Sequence, residues 1–235
     1  MNNRLTLLVV QIYIHMAFLL GLLYFSATFS LISILVCQIV FVGLCGTVYY
    51  HRVVTHKNSI KPFLEKFLLF LSWVGCSGSA IAWAATHRMH HRFSDTEKDP
   101  HSPQHVGKLH AYWWSSGSEK SIRYVPDLLR NPLYVWQHAH YFTVLLAYHI
   151  IVIALLPLSI YWAICIVPAF CMWFAGSMIN ILGHDSLGPI NSNILGLMFA
   201  GEGWHKNHHV DPSSPKFNSK GDWGHMIYAL IRRNS

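Results

Sequence analysis

Long stretches without a charged residue decide what this chain can fold into. Residues 5–25 and 29–50 contain no Asp, Glu, Lys or Arg, and neither does the segment 141–183. Each of the first two stretches is long enough to cross about 30 Å of hydrocarbon as a helix. The third is about twice as long, and Pro157 near its middle predicts a turn between two spans. We therefore predict an all-α integral membrane protein with four transmembrane helices, at about 5–25, 29–50, 140–158 and 161–183.

The basic residues predict the orientation of these helices. The 17 Lys and Arg fall at Arg4, between 52 and 130, and between 206 and 233. Neither of the two predicted turns on the opposite side contains one, and the positive-inside rule therefore makes the basic side cytoplasmic. The net charge of +7 reflects this topology and attraction to lipid headgroups rather than nucleic-acid binding. The whole chain, 1–235, is predicted to be one membrane domain with both termini cytoplasmic and a cytosolic helical cap formed by 51–138 and 184–235.

Histidines are clustered beside the predicted spans. The spacing H-x-x-H-H occurs at 87–91 and again at 205–209, and an H-x4-H pair occupies 51–56. On an α-helix the three histidines of each triplet fall within about 100° of arc, so they point to one side. Two triplets of neutral nitrogen donors indicate metal binding shared between distant helices. The candidate ligands are His51, His56, His87, His90, His91, His184, His205, His208 and His209.

Nine imidazoles are too many for a single metal ion. Tetrahedral zinc takes four ligands, so nine donors suit two metals with four or five ligands each. Imidazole binds Zn, Cu, Fe and Ni, and residue type alone leaves the metal open. The sequence has no H-E-x-x-H motif of the zinc hydrolases. The remaining histidines, His15 and His101 among them, are expected to be ordinary interfacial or hydrogen-bonded side chains.

Polar residues next to the clusters are expected to support the metal ligands. Metal-bound imidazoles need an acceptor for their second ring nitrogen, which fixes the tautomer and orientation of the ring. The candidate acceptors are Asp95, Asp99, Asp185 and Glu202. Asn180 precedes His184 by four residues, so both are expected on one face of the fourth helix.

Residues 67–86 are also uncharged and could be taken for a fifth span. If this segment crossed the membrane, His51 and His87 would lie on opposite sides of the bilayer. Ligands of one metal site bind at about 2 Å, so they must lie on the same side. The run Gly-Cys-Ser-Gly-Ser in its centre also weakens a spanning helix. We predict a helix that lies on, or dips into, the cytoplasmic interface.

The motifs HRVVTH (51–56), HRMHHRFSDTEKDPHSP (87–103), NILGH (180–184) and GEGWHKNHH (201–209) resemble the histidine boxes of membrane fatty acyl desaturases. The resemblance is to the acyl-CoA (Δ9, stearoyl-CoA desaturase-like) type. It implies a four-span, mushroom-shaped fold whose cap holds two iron ions through the nine histidines. It also implies that Asn180 holds a water on one iron. No catalytic residue beyond the metal ligands and no organic cofactor is implied.

The implied reaction inserts a cis double bond into a saturated long-chain acyl group, with O₂ as co-substrate and two electrons. The sequence has no G-x-G-x-x-G motif, so a separate donor of the ferredoxin, rubredoxin or cytochrome b5 type is expected. The loops 104–115 and 210–217 lack the Gly-Trp and Phe-Pro pairs usual in the family. The acyl carrier is therefore open between CoA, acyl carrier protein and intact lipid.

Two other functions are open on the sequence alone. A di-iron hydroxylase of lipids, alkanes or carotenoids would use the same oxidant to add oxygen to carbon. A metal or haem carrier would place its ligands at mid-membrane. Only His15 and His149 lie that deep in the predicted spans, so the carrier is the weaker of the two.

Overall fold

A computed structural model describes residues 3–113 and 119–233, which are mostly helical. The α-helices of this part of the chain are α1 (Asn3–Tyr24), α2 (Ala27–Cys37), α3 (Pro62–Leu71), α4 (Ala80–Phe93), α5 (Pro103–Val106), α6 (Lys108–Trp113), α7 (Pro126–Leu129), α8 (Pro132–Ala139), α9 (Tyr141–Leu155), α10 (Leu158–Tyr161), α11 (Val167–Leu182), α12 (Asn193–Met198), α13 (His205–Val210) and α14 (Trp223–Ile231). The other elements are π-helices at Gln38–Thr55 and Trp162–Ile166, 3₁₀ helices at Ser72–Gly75 and Glu119–Tyr124, and the antiparallel two-residue strands β1 (His184–Asp185) and β2 (Gly188–Pro189).

Two continuous helices are long and apolar enough to cross a membrane. One runs from Ala27 to Thr55 through α2 and the first π-helix, and the other runs from Leu158 to Leu182. The α8–α9 and α3–α4 pairs are bent, and the described residues contain up to four candidate spans if each pair counts as one. In α1 the apolar helix Leu8–Tyr24 is shorter. The predicted all-α class with apolar spans is confirmed in this coarser form, and the count of four stays a prediction.

The outer faces of these helices are apolar. Leu23 on α1 is 84% exposed, Leu146 on α9 63% and Leu155 74%. Ile32 and Leu35 on α2 are also exposed. Contiguous apolar surface of this extent is not stable in water, and it is the surface that lipid tails cover.

The segment predicted as a single interfacial helix at 67–86 is in fact broken. α3 and its 3₁₀ extension end at Gly75, and α4 begins at Ala80 after a bend of 85°. Cys76 adopts φ +52° and Gly78 φ +88°, and the side chain of Ser79 caps α4 by accepting from Ala82 N. The Gly-Cys-Ser-Gly-Ser run thus supplies both the left-handed residues and the N-cap that the break requires. A straight span through this segment is excluded.

Buried apolar residues form two clusters around the histidines. One cluster packs the π-helix Gln38–Thr55 against α3, α4, α8 and α14, with Val48, Tyr49 and Ala84 fully buried. The other packs α1 and α2 against the helix Leu158–Leu182 and α12. Within the membrane, where lipid tails already exclude water, close packing of these side chains rather than removal of apolar surface from water holds the helices together.

The bend predicts that both ends of the α3–α4 unit lie on one side of the membrane. We expect Lys61→Cys and Glu97→Cys, both at exposed positions, to react with an impermeant maleimide from the same face of sealed vesicles. Leu156→Cys, in the turn between α9 and α10, should react only from the opposite face, and the unmodified chain supplies the blank. Labelling of Lys61→Cys and Glu97→Cys from opposite faces would contradict this topology.

Candidate metal centre

The nine candidate histidines converge in two groups, although the first and the last, His51 and His209, are 158 residues apart in the sequence. Within each group, every residue offers one ligand atom within 4.8 Å of the others. The five-histidine group contains His51, His56, His87, His91 and His208. The four-histidine group contains His90, His184, His205 and His209. The groups thus contain five and four donors, and the number of metals that they bind stays a prediction.

Each H-x-x-H-H triplet is divided between the two groups. From α4, His87 and His91 belong to the five-histidine group, while His90 belongs to the four-histidine group. α13 divides its triplet in the opposite sense, because its middle histidine, His208, belongs to the five-histidine group. Residues at i and i+4 lie above one another on a helix, whereas i+3 lies to one side. Two such helices facing each other can therefore supply three ligands to each metal.

The H-x4-H pair depends on the π-helix. In an α-helix, residues five apart point about 140° away from each other. Here the backbone N–H of His56 donates to the carbonyl of His51, at 3.2 Å, and the hydroxyl of Thr55 donates to the carbonyl of Tyr50. The i→i+5 bonds of a π-helix carry residues five apart a little past one full turn, which brings them closer to the same side. His51 and His56 thereby join the same group.

The ring nitrogens of each group point at one another. Pairs of Nε2 atoms are separated by 2.9 Å in His51–His208, His91–His208 and His184–His205, by 3.0 Å in His87–His91, by 3.1 Å in His205–His209 and by 3.2 Å in His90–His209. Nitrogen ligands at about 2.0–2.1 Å from a metal lie roughly 3 Å from their neighbours in the same shell. The spacing is that of ligand atoms around an ion.

Carboxylates fix the tautomers of two of these histidines. Nδ1 of His90 lies 2.9 Å from an oxygen of Asp99, and Nδ1 of His184 lies 2.8 Å from an oxygen of Asp95. An ionised carboxylate only accepts hydrogen bonds, so each Nδ1 carries the proton. Each Nε2 then presents a lone pair to its group, as metal ligation requires. Nε2 of the half-buried His56 has no hydrogen-bond partner, which also fits a ligand whose metal supplies the missing partner.

His51 is held by a third carboxylate, which belongs to a buried charge network. Its Nδ1 lies 2.6 Å from an oxygen of Glu202. Arg52 is completely buried and contacts Glu202 at 3.4 Å and Asp222 at 2.8 Å. Its guanidinium also lies 3.8 Å from the centre of the Phe217 ring. Burial raises the pKa of Glu202 to about 8, and the adjacent Arg52 guanidinium acts against that rise.

The structure places Asp185 and His184 differently from the sequence expectation. Asp185 is exposed, and its carboxylate accepts from the backbone N–H of Leu187 at 2.7 Å rather than from a histidine. α11 ends at Leu182, so the four-residue spacing does not put Asn180 and His184 on one helical face. His184 instead reaches its group from β1. The four-residue spacing places two residues on one face only in an unbroken helix, and this helix ends before the histidine.

A cavity lies directly beside the histidines. Asn180 lines it together with Trp83, Met172, Gly176 and His87. A Cβ atom built on Gly176 would meet nothing within 4 Å, so there is open space next to that backbone. The wall is mainly apolar, with the asparagine amide and the imidazoles at one end, as in sites that orient an apolar ligand toward a few polar groups.

Two residues near the centre were not identified from the sequence. His101 was taken as ordinary, yet it is buried, stacks on His90 with ring centroids 4.4 Å apart and forms a further cluster with His90 and Asp99. Trp83 stacks on His87 at 4.9 Å. The spacing Trp83–His87, four residues on one helix, was the available signal for the second.

Burial keeps the imidazoles neutral. It lowers the pKa of His56 to about 3, with Arg88 and His209 adding to the shift, and it lowers the pKa of His209 to about 3, with His91 adding to it. A neutral imidazole carries the lone pair that a metal needs, so the ligand set is ready at neutral pH.

Comparison with known proteins agrees with this centre. The model of the fatty acid desaturase family matches residues 30–219. An sn-1 stearoyl-lipid 9-desaturase of Anabaena variabilis is 31% identical over 72% of this chain and 66% of its own length. An acyl-CoA C20 Delta5-desaturase of Anemone leveillei is 30% identical over 83% of this chain and 70% of its own. A Delta(9)-fatty-acid desaturase of Caenorhabditis elegans is 26% identical over 91% and 72%.

The chain belongs to the fatty acid desaturase family. The matched part of the chain spans between 57% and 72% of the length of these three relatives and of five further curated desaturases. The match includes all nine histidines, because the first is at 51 and the last at 209.

The lowered pKa values predict how the metal-free protein responds to acid. Each of these histidines has a pKa of about 3 in the folded protein and about 6.5 in the unfolded chain. At a pH between these two values, the histidine binds a proton only in the unfolded chain. Stability is therefore full above about pH 6.5 and falls as the pH drops toward 3, by at most about 1.4 kcal/mol per pH unit for each such histidine. Thermal unfolding in detergent at several pH values measures this.

His56→Gln should make that loss shallower, because one buried histidine is removed. A metal-free protein whose unfolding temperature does not change between about pH 7 and pH 5 would contradict the assignment of neutral, buried imidazoles.

Proposed function

We propose that this protein is a membrane fatty acyl desaturase, which introduces a cis double bond into a saturated long-chain acyl group with O₂ and two electrons. The observation that carries the proposal is the juxtaposition of two groups of converging imidazole nitrogens with a mainly apolar cavity. Membership of the desaturase family supports the same reaction. Both features are needed, because a metal alone does not select an alkyl chain and a cavity alone does not oxidise one.

We propose that the two groups hold two iron ions through the nine histidines. The donor set fits, because it consists of neutral imidazoles held by carboxylates, and imidazole is a suitable ligand of iron. Iron bound there would supply, with O₂, the oxidant that removal of hydrogen from an unactivated methylene requires. The family, rather than the ligand type, favours iron over zinc, copper and nickel.

The residues of the chain itself bind and orient the substrate. Trp83, Met172 and the open space at Gly176 accept an alkyl chain beside His87. The apolar wall excludes water from the reacting carbon of the substrate. The histidines fix the position of the metals and thereby which carbon of the alkyl chain lies closest to them. Asn180 is the polar group of this wall nearest in sequence to His184, and we propose that its amide holds a water at the metal centre.

The substrate carrier is proposed from the named activities of the relatives. Their names include both acyl-lipid and acyl-CoA desaturases, so a long-chain acyl group is common to them while the carrier differs. The two electrons would come from a separate donor of the ferredoxin, rubredoxin or cytochrome b5 type. We further propose a single domain with four spans, whose histidine-bearing side is a cytosolic cap.

Expression in a host that lacks its own desaturase tests this function. The expected result is a new unsaturated fatty acid, two hydrogens lighter than its saturated precursor, in the total lipid extract. A product that is one oxygen heavier would instead identify a hydroxylase. No new product, in cells where the purified protein contains two irons per chain, would contradict the proposal.

Substitution of single ligands should separate the metal centre from other histidines. His90→Ala and His208→Ala each remove a nitrogen from one group, and we expect both to abolish turnover and to lower the iron content. His15→Ala is the control, because His15 bonds Tyr112 at 2.7 Å and the carbonyl of Gln11 and lies outside both groups. It should retain two irons per chain. Equal losses in all three variants would mean that the groups do not bind the metals.

Asn180→Ala should act differently from these ligand variants. Because the histidines remain, most of the iron should stay bound, while desaturation should fall by about 10-fold or more if the amide holds a water at the reacting centre. Iron content and product formation are measured on the same preparation. Near-normal activity at a matched protein level would assign Asn180 to the cavity wall alone.

A further inference from the structure

A row of aromatic rings leads away from the five-histidine group. Trp83 stacks on His87 with ring centroids 4.9 Å apart and also contacts the ring of His51 at 5.8 Å. The next ring is Tyr50, 5.8 Å from Trp83, and the next is Tyr49, 5.8 Å from Tyr50. Both tyrosines are completely buried. Neighbouring rings in this row are at the centroid separations of direct aromatic contact.

The row ends at a tyrosine pair and a carboxylate. The hydroxyl oxygens of Tyr49 and Tyr134 lie 3.1 Å apart, and the hydroxyl of Tyr134 donates to Glu65 at 2.8 Å. Because the hydrogen of Tyr134 points to Glu65, Tyr49 must donate to Tyr134. Tyr134 is 4% exposed, whereas Glu65 is half-buried on α3. The carboxylate therefore connects the buried row with the protein surface.

We propose that Trp83, Tyr50, Tyr49 and Tyr134 form a redox path that carries oxidising equivalents from the metal centre to the surface beside Glu65. The inference rests on the proposed function, which requires an oxidant able to attack an unactivated methylene. When no acyl chain is bound, that oxidant can instead attack the histidines and Trp83 around it. A path of oxidisable rings removes the oxidising equivalent before the ligands are damaged.

The last step balances once an external one-electron reductant is included. Iron bound by the histidines and oxidised by O₂ would take up one electron, which Tyr134 supplies along the row. The O–H bond of Tyr134 breaks, and its proton passes to the carboxylate of Glu65, leaving a neutral tyrosyl radical and a carboxylic acid. A water-soluble one-electron reductant of the thiol or ascorbate class then returns the electron to Tyr134. The proton returns from Glu65, and both groups are restored.

The hydrogen bonds explain why the path ends at Tyr134. Loss of an electron makes a phenol strongly acidic, so a stable tyrosyl radical needs a base at the hydroxyl. The hydroxyl of Tyr50 donates to the carbonyl of Gly78 at 2.9 Å, and a backbone carbonyl is not a base at neutral pH. Tyr134 has a carboxylate in that position. Tyr50 therefore only relays the electron, while Tyr134 holds the radical.

A second hydrogen-bonded tyrosine pair, of which one member is buried, supplies a control. The hydroxyls of Tyr13 and Tyr161 lie 2.8 Å apart, and Tyr161 is 6% exposed. Tyr161 also contacts His149, which belongs to neither histidine group. Tyr161→Phe and Tyr134→Phe thus each remove the hydroxyl of a buried tyrosine that is bonded to a second tyrosine, but only Tyr134→Phe breaks the proposed path.

The test uses the iron-loaded, reduced protein in lipid nanodiscs, mixed with O₂ without an acyl substrate and frozen within milliseconds to seconds. Electron paramagnetic resonance detects the radical, and ring-deuterated tyrosine identifies it as tyrosyl by narrowing its signal. We expect a tyrosyl signal in the unmodified chain and in Tyr161→Phe, and its loss in Tyr134→Phe and Glu65→Gln. Peptide mass spectrometry should find more oxidation of Trp83 in the two variants that lose the signal.

Oxygen uptake in the same samples distinguishes failure of the redox path from failure of the proposed oxidising centre. If oxygen uptake is normal and the tyrosyl signal is equal in Tyr134→Phe and the unmodified chain, the path is overturned and the proposed function is left intact. Loss of the signal in Tyr161→Phe as well would also overturn it, because the effect would then be general. A reduced, iron-loaded protein that consumes no oxygen would overturn the path together with the oxidising centre on which it rests.

Discussion

The convergence of imidazole nitrogens is the constraint on which the rest of this structure depends. Ligand bonds to a metal are only about 2 Å long. All the elements that carry the histidines must therefore meet at one place, and these are the helix Ala27–Thr55, α4, β1 and α13. The 85° bend between α3 and α4 follows from this requirement, because it returns the α4 histidines to His51. Neutral imidazoles whose lone pairs face each other do not stabilise the fold until a cation binds between them. The carboxylates at their other ring nitrogens hold the rings in the orientation that binds such a cation.

Buried charge couples this centre to the C-terminal helix. Arg52 bridges Glu202, which holds His51, and Asp222, whose carboxylate accepts from His225 N at the start of α14. Removal of one partner from a buried charge network leaves an uncompensated charge and costs about 3–5 kcal/mol. The position of α14 and the orientation of His51 are therefore linked, although α14 contributes no ligand. The main role of these charges is to hold the His51 ring and α14 in their positions, rather than to add net stability to the fold.

One helix, α4, serves three purposes through the periodicity of its residues. Its last turns carry the histidines, and Trp83, one turn earlier, lines the cavity and begins the aromatic row toward Tyr134. Most of this could be predicted from the spacing of the motif. The row could not, because Tyr49, Tyr134 and Glu65 are far apart in sequence and nothing in their local pattern distinguishes them from ordinary core residues.

The sequence by itself determined the apolar helical segments, the nine histidines and three of the carboxylates that hold them, because helical periodicity and metal chemistry are local properties. Only the tertiary structure decided which histidine joins which group, and that the Asp185 carboxylate bonds the backbone of Leu187 rather than a histidine. The split of each triplet depends on the facing of α4 and α13, and the reach of His56 depends on a π-helix that no local propensity predicts. Contacts between residues more than 100 positions apart are set by packing, and packing is a property of the whole fold.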